Sequence, residues 1–316
     1  MIANTNYLSS SILAWSFGTT DNKSVMECME DLNIKEVDLS YRILTMDEKD
    51  EEVLKAIKRI EDDVQIVATP DRTKVWQNGW AENLKSFIDS GYKLEALSPK
   101  YFRKDSPMRF KQQFIKSDNP HLEFDFWCIL RAWIFKKYFS RYETIYEFGC
   151  GTGQNLVSLA NMYPHKEIFG LDFVDSSVQL VNLIQKKYDL NIHGELFNMI
   201  HPNYDFKLKN DSVVFTAFSI EQLGNQYQEF VNYIFENDVA LCVHVEPMSE
   251  LYDRDNLIDY LAYRFHTKRH YPTGFIPLLQ KLENHGKLTI MKIQRCYFGN
   301  LNHEGYNLII WKPIKV

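Results

Sequence analysis

Residues 146–156, YEFGCGTGQNL, set Gly149, Gly151 and Gly153 at alternate positions behind a short apolar run, with Glu147 inside that run. Glycines at this density let a backbone turn tightly or let a ligand approach it closely. A strand-to-helix turn here, with the helix opening near Gln154, offers bare N–H groups at the C-terminal edge of a parallel sheet, where ligands bind in open α/β folds. Asp172, 19 residues beyond Gly153, ends the next apolar run. Its two carboxylate oxygens match two hydroxyl donors, as a ribose diol presents them. The dinucleotide fingerprint G-x-G-x-x-G/A fits at Gly149 and Gly151 but meets Gln154 at its third position. A carboxylate at Glu147 disfavours a pyrophosphate and favours a ligand that carries cations and donors.

A second set of polar residues lies further along. In LCVHVEP (241–247), strand alternation puts His244 and Glu246 on one face, and Pro247 marks the strand's end. Two polar groups on an otherwise apolar strand need partners, because burying them unpaired is costly. They either pair within the fold or face a bound molecule. Glu221 and Gln222 follow VVFTAF, and NHEGY (302–306) places His303, Glu304 and Tyr306 in a loop between the last two strands. YLAYRFHTKRHY (260–271) interleaves Arg264, Lys268 and Arg269 with aromatics, a pattern for an anionic or sugar-linked ligand or for a solvated helix face. His244, Glu246, Glu221 and His303 are the candidate catalytic groups.

The elements that must position these residues alternate from 143 onward. TIYEF, EIFGLDF, a run near 192–197, SVVFTAF and VALCVHVEP read as strands, and QNLVSLANMY and SSVQLVNLIQKKY as helices. Such alternation predicts βαβ units and a parallel sheet. KLTIMKIQRCYF and YNLIIWKP, joined by GNLNHEG, predict a closing antiparallel hairpin. Before 143 the pattern is mixed. Helical spacing covers 22–32 and 46–61, and VQIVAT (64–69) reads as a short buried strand ending at Pro70. Trp76 and Trp80 share a helix face, 91–120 has loop chemistry, and a long aromatic helix spans 121–139.

The order YEFGCGTG, GLDF, GELFNM (194–199), VVFTAFSIEQL (213–223) and the closing hairpin resembles the class I S-adenosylmethionine-dependent methyltransferases over residues 143–316. The resemblance implies an α/β fold, a Rossmann-like, mostly parallel seven-stranded sheet whose last strand is antiparallel, with S-adenosylmethionine as cofactor. It implies that Glu147 and the backbone of Gly149, Gly151 and Gly153 hold the methionine part, with Cys150 and Asn155 in the same set. Asp172 would take the ribose hydroxyls and Phe173 would lie beside the adenine. Asn198 stands where the family often has Asp for the adenine amino group, Met199 would pack on the ring, and Phe218 and Ser219 would lie near the methyl donor. Residues 1–120 would form a cap that recognises the substrate, and 121–316 the methyltransferase domain. The E-x-x-E-H metal site of some relatives is absent, its positions reading Phe218, Glu221 and Gln222, so no metal is expected. The aromatic tetrapeptide of amino-methylating DNA enzymes is replaced by AFSI.

Bulk properties narrow the class. The 316 residues carry a net charge of -6, which opposes general nucleic-acid binding. Five scattered cysteines with no C-x-x-C pair suit neither a disulfide framework nor a zinc site, and fit a reducing cytoplasm. The N-terminus lacks a basic n-region and a sustained apolar h-region, and no apolar run of 18 residues offers a membrane span. The expected activity is methyl transfer to the O or N of a small-molecule acceptor. Protein methylation, a non-catalytic module that keeps the fold, and a nicotinamide oxidoreductase are the alternatives.

Overall fold

The computed structural model describes residues 5–32, 34, 37–99, 102 and 104–314. The chain opens with β1 (Asn6–Tyr7), α1 (Ser10–Ser16), α2 (Asn22–Asp31), β2 (Ser40–Ile43), α3 (Met46–Asp62) and α4 (Pro70–Asp89). Then follow β3 (Met108–Phe110), β4 (Gln113–Lys116) and α5 (Leu122–Ile134), which runs on as a π-helical turn over Phe135–Phe139. The alternating part comprises β5 (Thr144–Phe148), α6 (Gln154–Met162), β6 (Glu167–Asp172), α7 (Asp175–Tyr188), β7 (Ile192–Leu196), β8 (Val213–Ala217), α8 (Gln228–Phe235) and β9 (Leu241–Glu246). The chain closes with α9 (Leu257–Arg269), α10 (Phe275–Asn284), β10 (Leu288–Gln294), β11 (Phe298–Asn300) and β12 (Asn307–Pro313).

Seven strands form one sheet in the order β10-β12-β9-β8-β5-β6-β7, and only β12 runs against the rest. This is the α/β sheet the sequence predicts. β8 and β9 are buried along their whole length, because helices cover both faces. Ile145, Val213 and Val243 pack with Leu156 and Leu180 on one face. Tyr146, Val214, Cys242 and Trp311 pack with Phe230 and Leu279 on the other.

A second sheet, β1-β2-β4-β3-β11, lies beside it. It corrects two expectations. The segment 91–120 is not all loop: β3 and β4 pair around Lys111 and Gln112, both at positive φ (49° and 59°). A two-residue turn of this kind favours Asn-Gly, so Lys-Gln leaves no signature. The closing hairpin is also not simple. β10 ends at Gln294, and the chain leaves the large sheet so that Phe298–Asn300 pairs with β3 before β12 returns. Phe298 stacks on Phe126 of α5 at 4.0 Å, which ties the two sheets together.

VQIVAT is the third correction. Val64 is 88% exposed and the segment joins no ladder. Val67 N–H to Arg269 O and Ala68 N–H to Gln222 O, each 3.1 Å, hold its end, where Val67 packs with Phe265 and Tyr271. Thr69 and Pro70 start a helix instead: the Thr69 hydroxyl accepts from Arg72 N–H and proline occupies the first turn of α4. The segments 22–32 and 46–61 are helical as their spacing predicts, as α2 and α3, the latter with a Thr45–Glu48 capping box.

Candidate functional site

The turn after β5 is built as the glycine spacing requires. Gly149, Gly151 and Gly153 have φ of 77°, 54° and 73°, a left-handed region that side chains rarely adopt. At Gly149 a Cβ would fall 2.3 Å from the Ser219 Cβ, and at Gly151 it would fall 2.9 Å from Trp80 Cζ2. These two glycines therefore admit close neighbours from β8's end and from α4. Gly153 differs. Its missing Cβ faces Val181 and Ile184 of α7, so it serves helix packing and lines neither cavity described below. Cys150 is likewise turned inward, against Gly170, and burial pushes its thiol well above the usual range. Its N–H donates to Leu171 O at 3.1 Å and its carbonyl accepts from Gly153 N–H at 2.9 Å.

Two carboxylates end adjacent strands around this turn. Glu147 is buried, with Oε1 accepting from Asn155 Nδ2 at 2.6 Å, while Asn155 Oδ1 accepts from Arg131 Nη1 at 2.8 Å. Oε2 is buried without a hydrogen-bond partner among the described residues. Burial raises the Glu147 pKa to about 8, against the lowering bond from Asn155 and charge of Arg131. Asp172 accepts from Gly151 N–H at 2.9 Å and Val174 N–H at 3.2 Å, and burial raises it to about 6.

α4 crosses this edge. Trp76 and Trp80 stack at 5.2 Å, and Gln222 clips the helix down by accepting from Trp76 Nε1 at 2.9 Å and Arg72 Nε at 3.1 Å. The helix divides the groove into two cavities of about 570 and 490 Å³ that share Arg72, Trp76, Trp80, Gly149 and Phe218. The larger takes in Glu147, Asn155, Glu221, Tyr271 and His303. The smaller takes in Asp172, Phe173, Asn198, Met199 and Ser219. Asn198 Oδ1 already accepts from Ile200 N–H at 2.9 Å, and Ser219 Oγ donates to Phe148 O at 2.8 Å. Phe218 sits at the seam with a φ of 58°.

The four candidate catalytic groups separate. Glu221 lines the larger cavity. Its Oε1 accepts from Gln222 Nε2 at 2.7 Å, and burial raises its pKa to about 7. His303 also lines it, with Nδ1 3.1 Å from His266 Nε2, and burial together with His266, Arg109 and Arg269 holds it well below the usual histidine range. His266 Nδ1 is buried without a partner among the described residues.

His244 and Glu246 correct the expectation that they face a bound molecule. His244 Nε2 accepts from Trp311 Nε1 at 3.0 Å and its Nδ1 lies 2.9 Å from Thr216 Oγ1. An indole N–H only donates, so the imidazole proton sits on Nδ1. Both nitrogens are used on the face covered by α10, and burial lowers the pKa to about 3. Glu246 Oε1 accepts from the backbone N–H of Ser219 and Ile220, each at 3.1 Å, and Oε2 accepts from Glu221 N–H at 3.4 Å. It caps the short helical turn after β8, and burial with the charge of Glu221 raises it to about 8. Neither residue lines either cavity. The loop splits in the same way: Glu304 forms a two-armed pair with Arg295 at 2.7 and 2.8 Å, whereas Tyr306 reaches the larger cavity.

Sequence reasoning missed Arg131, His266 and Tyr271, and gave the tryptophan pair only a shared helix face. Of the basic run, Arg264 and Lys268 are exposed, and Arg269 turns into the cavity on an ion pair with Asp63 at 2.7 Å. Only the i, i+4 tryptophans carried a usable signal, because the other contacts join segments far apart in sequence.

Neither a family model nor a curated protein matches the chain. Among solved structures, an rRNA methylase from Escherichia coli is 7% identical, covering 96% of this chain and 99% of its own, with a TM-score of 0.44. PigF with SAH is 13% identical over 83% of this chain and 69% of its own, at 0.44. The O-methyltransferase from a trans-AT PKS multienzyme of Brevibacillus brevis, in complex with S-adenosyl-L-homocysteine, is 15% identical over 57% and 69%, at 0.40. Strand order and direction within this chain carry the fold assignment.

Proposed function

On a chain with the class I methyltransferase fold, we propose that the protein transfers the methyl group of S-adenosylmethionine to the oxygen or nitrogen of a small-molecule acceptor. One observation carries the reading: Glu147 Oε2 is buried without a partner beside the open glycine turn, one strand away from Asp172. A buried acceptor of this kind needs a donor, and an ammonium group supplies one. The residues fit the cofactor. Glu147 would accept from the methionine ammonium, whose charge would hold the carboxyl ionised against burial. Asp172 would accept from the ribose hydroxyls, and Phe173 and Met199 would flank the adenine.

When bound, S-adenosylmethionine supplies an electrophilic methyl group on a sulfonium. The chain's own residues then align the acceptor, which accounts for much of the effect in an in-line displacement. Glu221, with a pKa near neutrality, would take the proton of an acceptor hydroxyl. Trp76, Trp80 and Phe218 would exclude water at the seam. Residues 1–120 would supply the roof and much of the acceptor specificity.

Calorimetric titration with S-adenosylhomocysteine tests the reading. Native protein should bind one equivalent, and Asp172→Ala and Glu147→Gln should each weaken binding at least about tenfold, the loss of one charge-assisted contact. Absence of binding to the folded native protein, or unchanged affinity in both variants, rejects it.

A further inference from the structure

We infer that the acceptor carries an anionic group, a carboxylate or a phosphate, which docks on Arg72; this deepens the methyl-transfer reading and rests on it. Three other cations line the larger cavity. Lys55 pairs with Glu52 at 2.6 Å and Arg269 with Asp63 at 2.7 Å, while Arg59 completes the set. Arg72 makes no ion pair with any described carboxylate. Its Nε and Nη1 donate to amide oxygens, those of Gln222 at 3.1 Å and Gln65 at 3.0 Å. Nη2 has no hydrogen-bond partner among the described residues.

The guanidinium is half-buried and lies over the Trp76 ring at 4.7 Å. Its hydrogen-bond partners are neutral amides, and it lies at the junction of both cavities. Removing such a charge from water without an anion is unfavourable, and a carboxylate or phosphate offers the planar, two-oxygen match that a guanidinium favours. Burial acts on Arg72 in the same direction, disfavouring the unpaired charge. Two carboxyls, Glu221 and Asp63, act on Arg72 through space: the raised pKa of Glu221 leaves it only partly ionised near neutrality, and Asp63 is already paired with Arg269. The histidines add no competing cation, since burial keeps His266 and His303 neutral. Phe218, Phe265 and Tyr271 supply an apolar, aromatic lining for the rest of the molecule.

The test uses three probes of one shape with the full chain: 4-hydroxybenzoate, 4-hydroxyphenyl phosphate and the neutral 4-hydroxybenzamide. Binding is followed by NMR with S-adenosylhomocysteine present. At least one anion should bind about tenfold more tightly than the amide, the scale of a charge-assisted pair. Whichever anion wins separates carboxylate from phosphate recognition. Arg72→Gln should abolish the preference, and Arg72→Lys, which keeps the charge but loses the fork, should retain part of it. Equal binding of amide and anions, saturation by none of the three, or a preference that survives in a folded R72Q protein overturns the inference. Should R72Q not fold, the native comparison and R72K decide. S-adenosylhomocysteine is titrated separately into native protein, so failure of the cofactor reading is seen apart from failure of anion recognition.

Discussion

The Trp80 indole rests on the backbone of Gly151: a Cβ on Gly151 would lie 2.9 Å from Cζ2 of the ring. A helix from the N-terminal third is thereby seated directly on the glycine turn proposed to hold the cofactor. Two forces act against any other residue at 151, the positive φ of 54° and the ring above it. Gly151→Ala should cost roughly 1–3 kcal/mol and weaken S-adenosylhomocysteine binding. In a double-mutant cycle with Trp80→Ala, part of that loss should disappear, because removing the ring relieves the contact but not the backbone strain. Urea midpoints of the four proteins measure the coupling, and strict additivity would deny the contact.

Glu246 has a structural assignment that can be separated from a chemical one. It accepts from three successive backbone N–H groups at Ser219, Ile220 and Glu221. Glu246→Ala leaves those donors buried and should destabilise the fold by about 2–5 kcal/mol. Glu246→Gln keeps an acceptor oxygen and should cost visibly less. Denaturation curves decide, and equal losses in the two variants would contradict the capping role.

His244 belongs to the core in the same way. Replacement by Leu strands the Trp311 N–H, an expected loss of about 1–3 kcal/mol. S-adenosylhomocysteine affinity should stay within about twofold, because neither cavity touches this residue. A large loss of affinity in a folded His244→Leu protein would return the residue to the site.

Stability should fall as pH rises from about 6.5 to 8. In that window the unfolded carboxyls are ionised, while burial keeps Glu147, Glu221 and Glu246 partly protonated in the fold, with pKa values of about 8, 7 and 8. A raised folded pKa gives stability that is present below the unfolded value and lost as pH climbs through the folded one. Each fully titrating group contributes a slope of about −1.4 kcal/mol per pH unit. Below 6.5 the sign reverses for the histidines: His244 and His266, lowered to about 3, stabilise the fold above the unfolded histidine pKa and lose that contribution as pH falls. Chemical denaturation at pH 6.5 and 8 checks the first arm, and a flat profile there would contradict buried, partly protonated carboxyls.

The large sheet was legible because its signals are local. Apolar runs of five or six residues, glycines where φ turns positive, and Asp172 at a strand's end all act within a few positions of the chain. Glu147, Asp172 and Glu221, singled out on the same local pattern, line the two cavities. Among the described residues no helix is long and apolar enough to cross a membrane, and all five cysteines are buried free thiols.

The tertiary structure alone decided which polar residues the site keeps. His244 and Glu246 share a strand face with the same period, yet Trp311, 67 residues away from His244, takes one and the turn at 219–221 takes the other. The three-residue strand at 298–300 follows from pairing with β3, not from any propensity of its own. Arg72 came to the cavity because Gln222, 150 residues distant in the chain, accepts its Nε. Period and turn chemistry specify what a segment can become; which buried donor meets which acceptor depends on packing between segments that the chain order does not bring together.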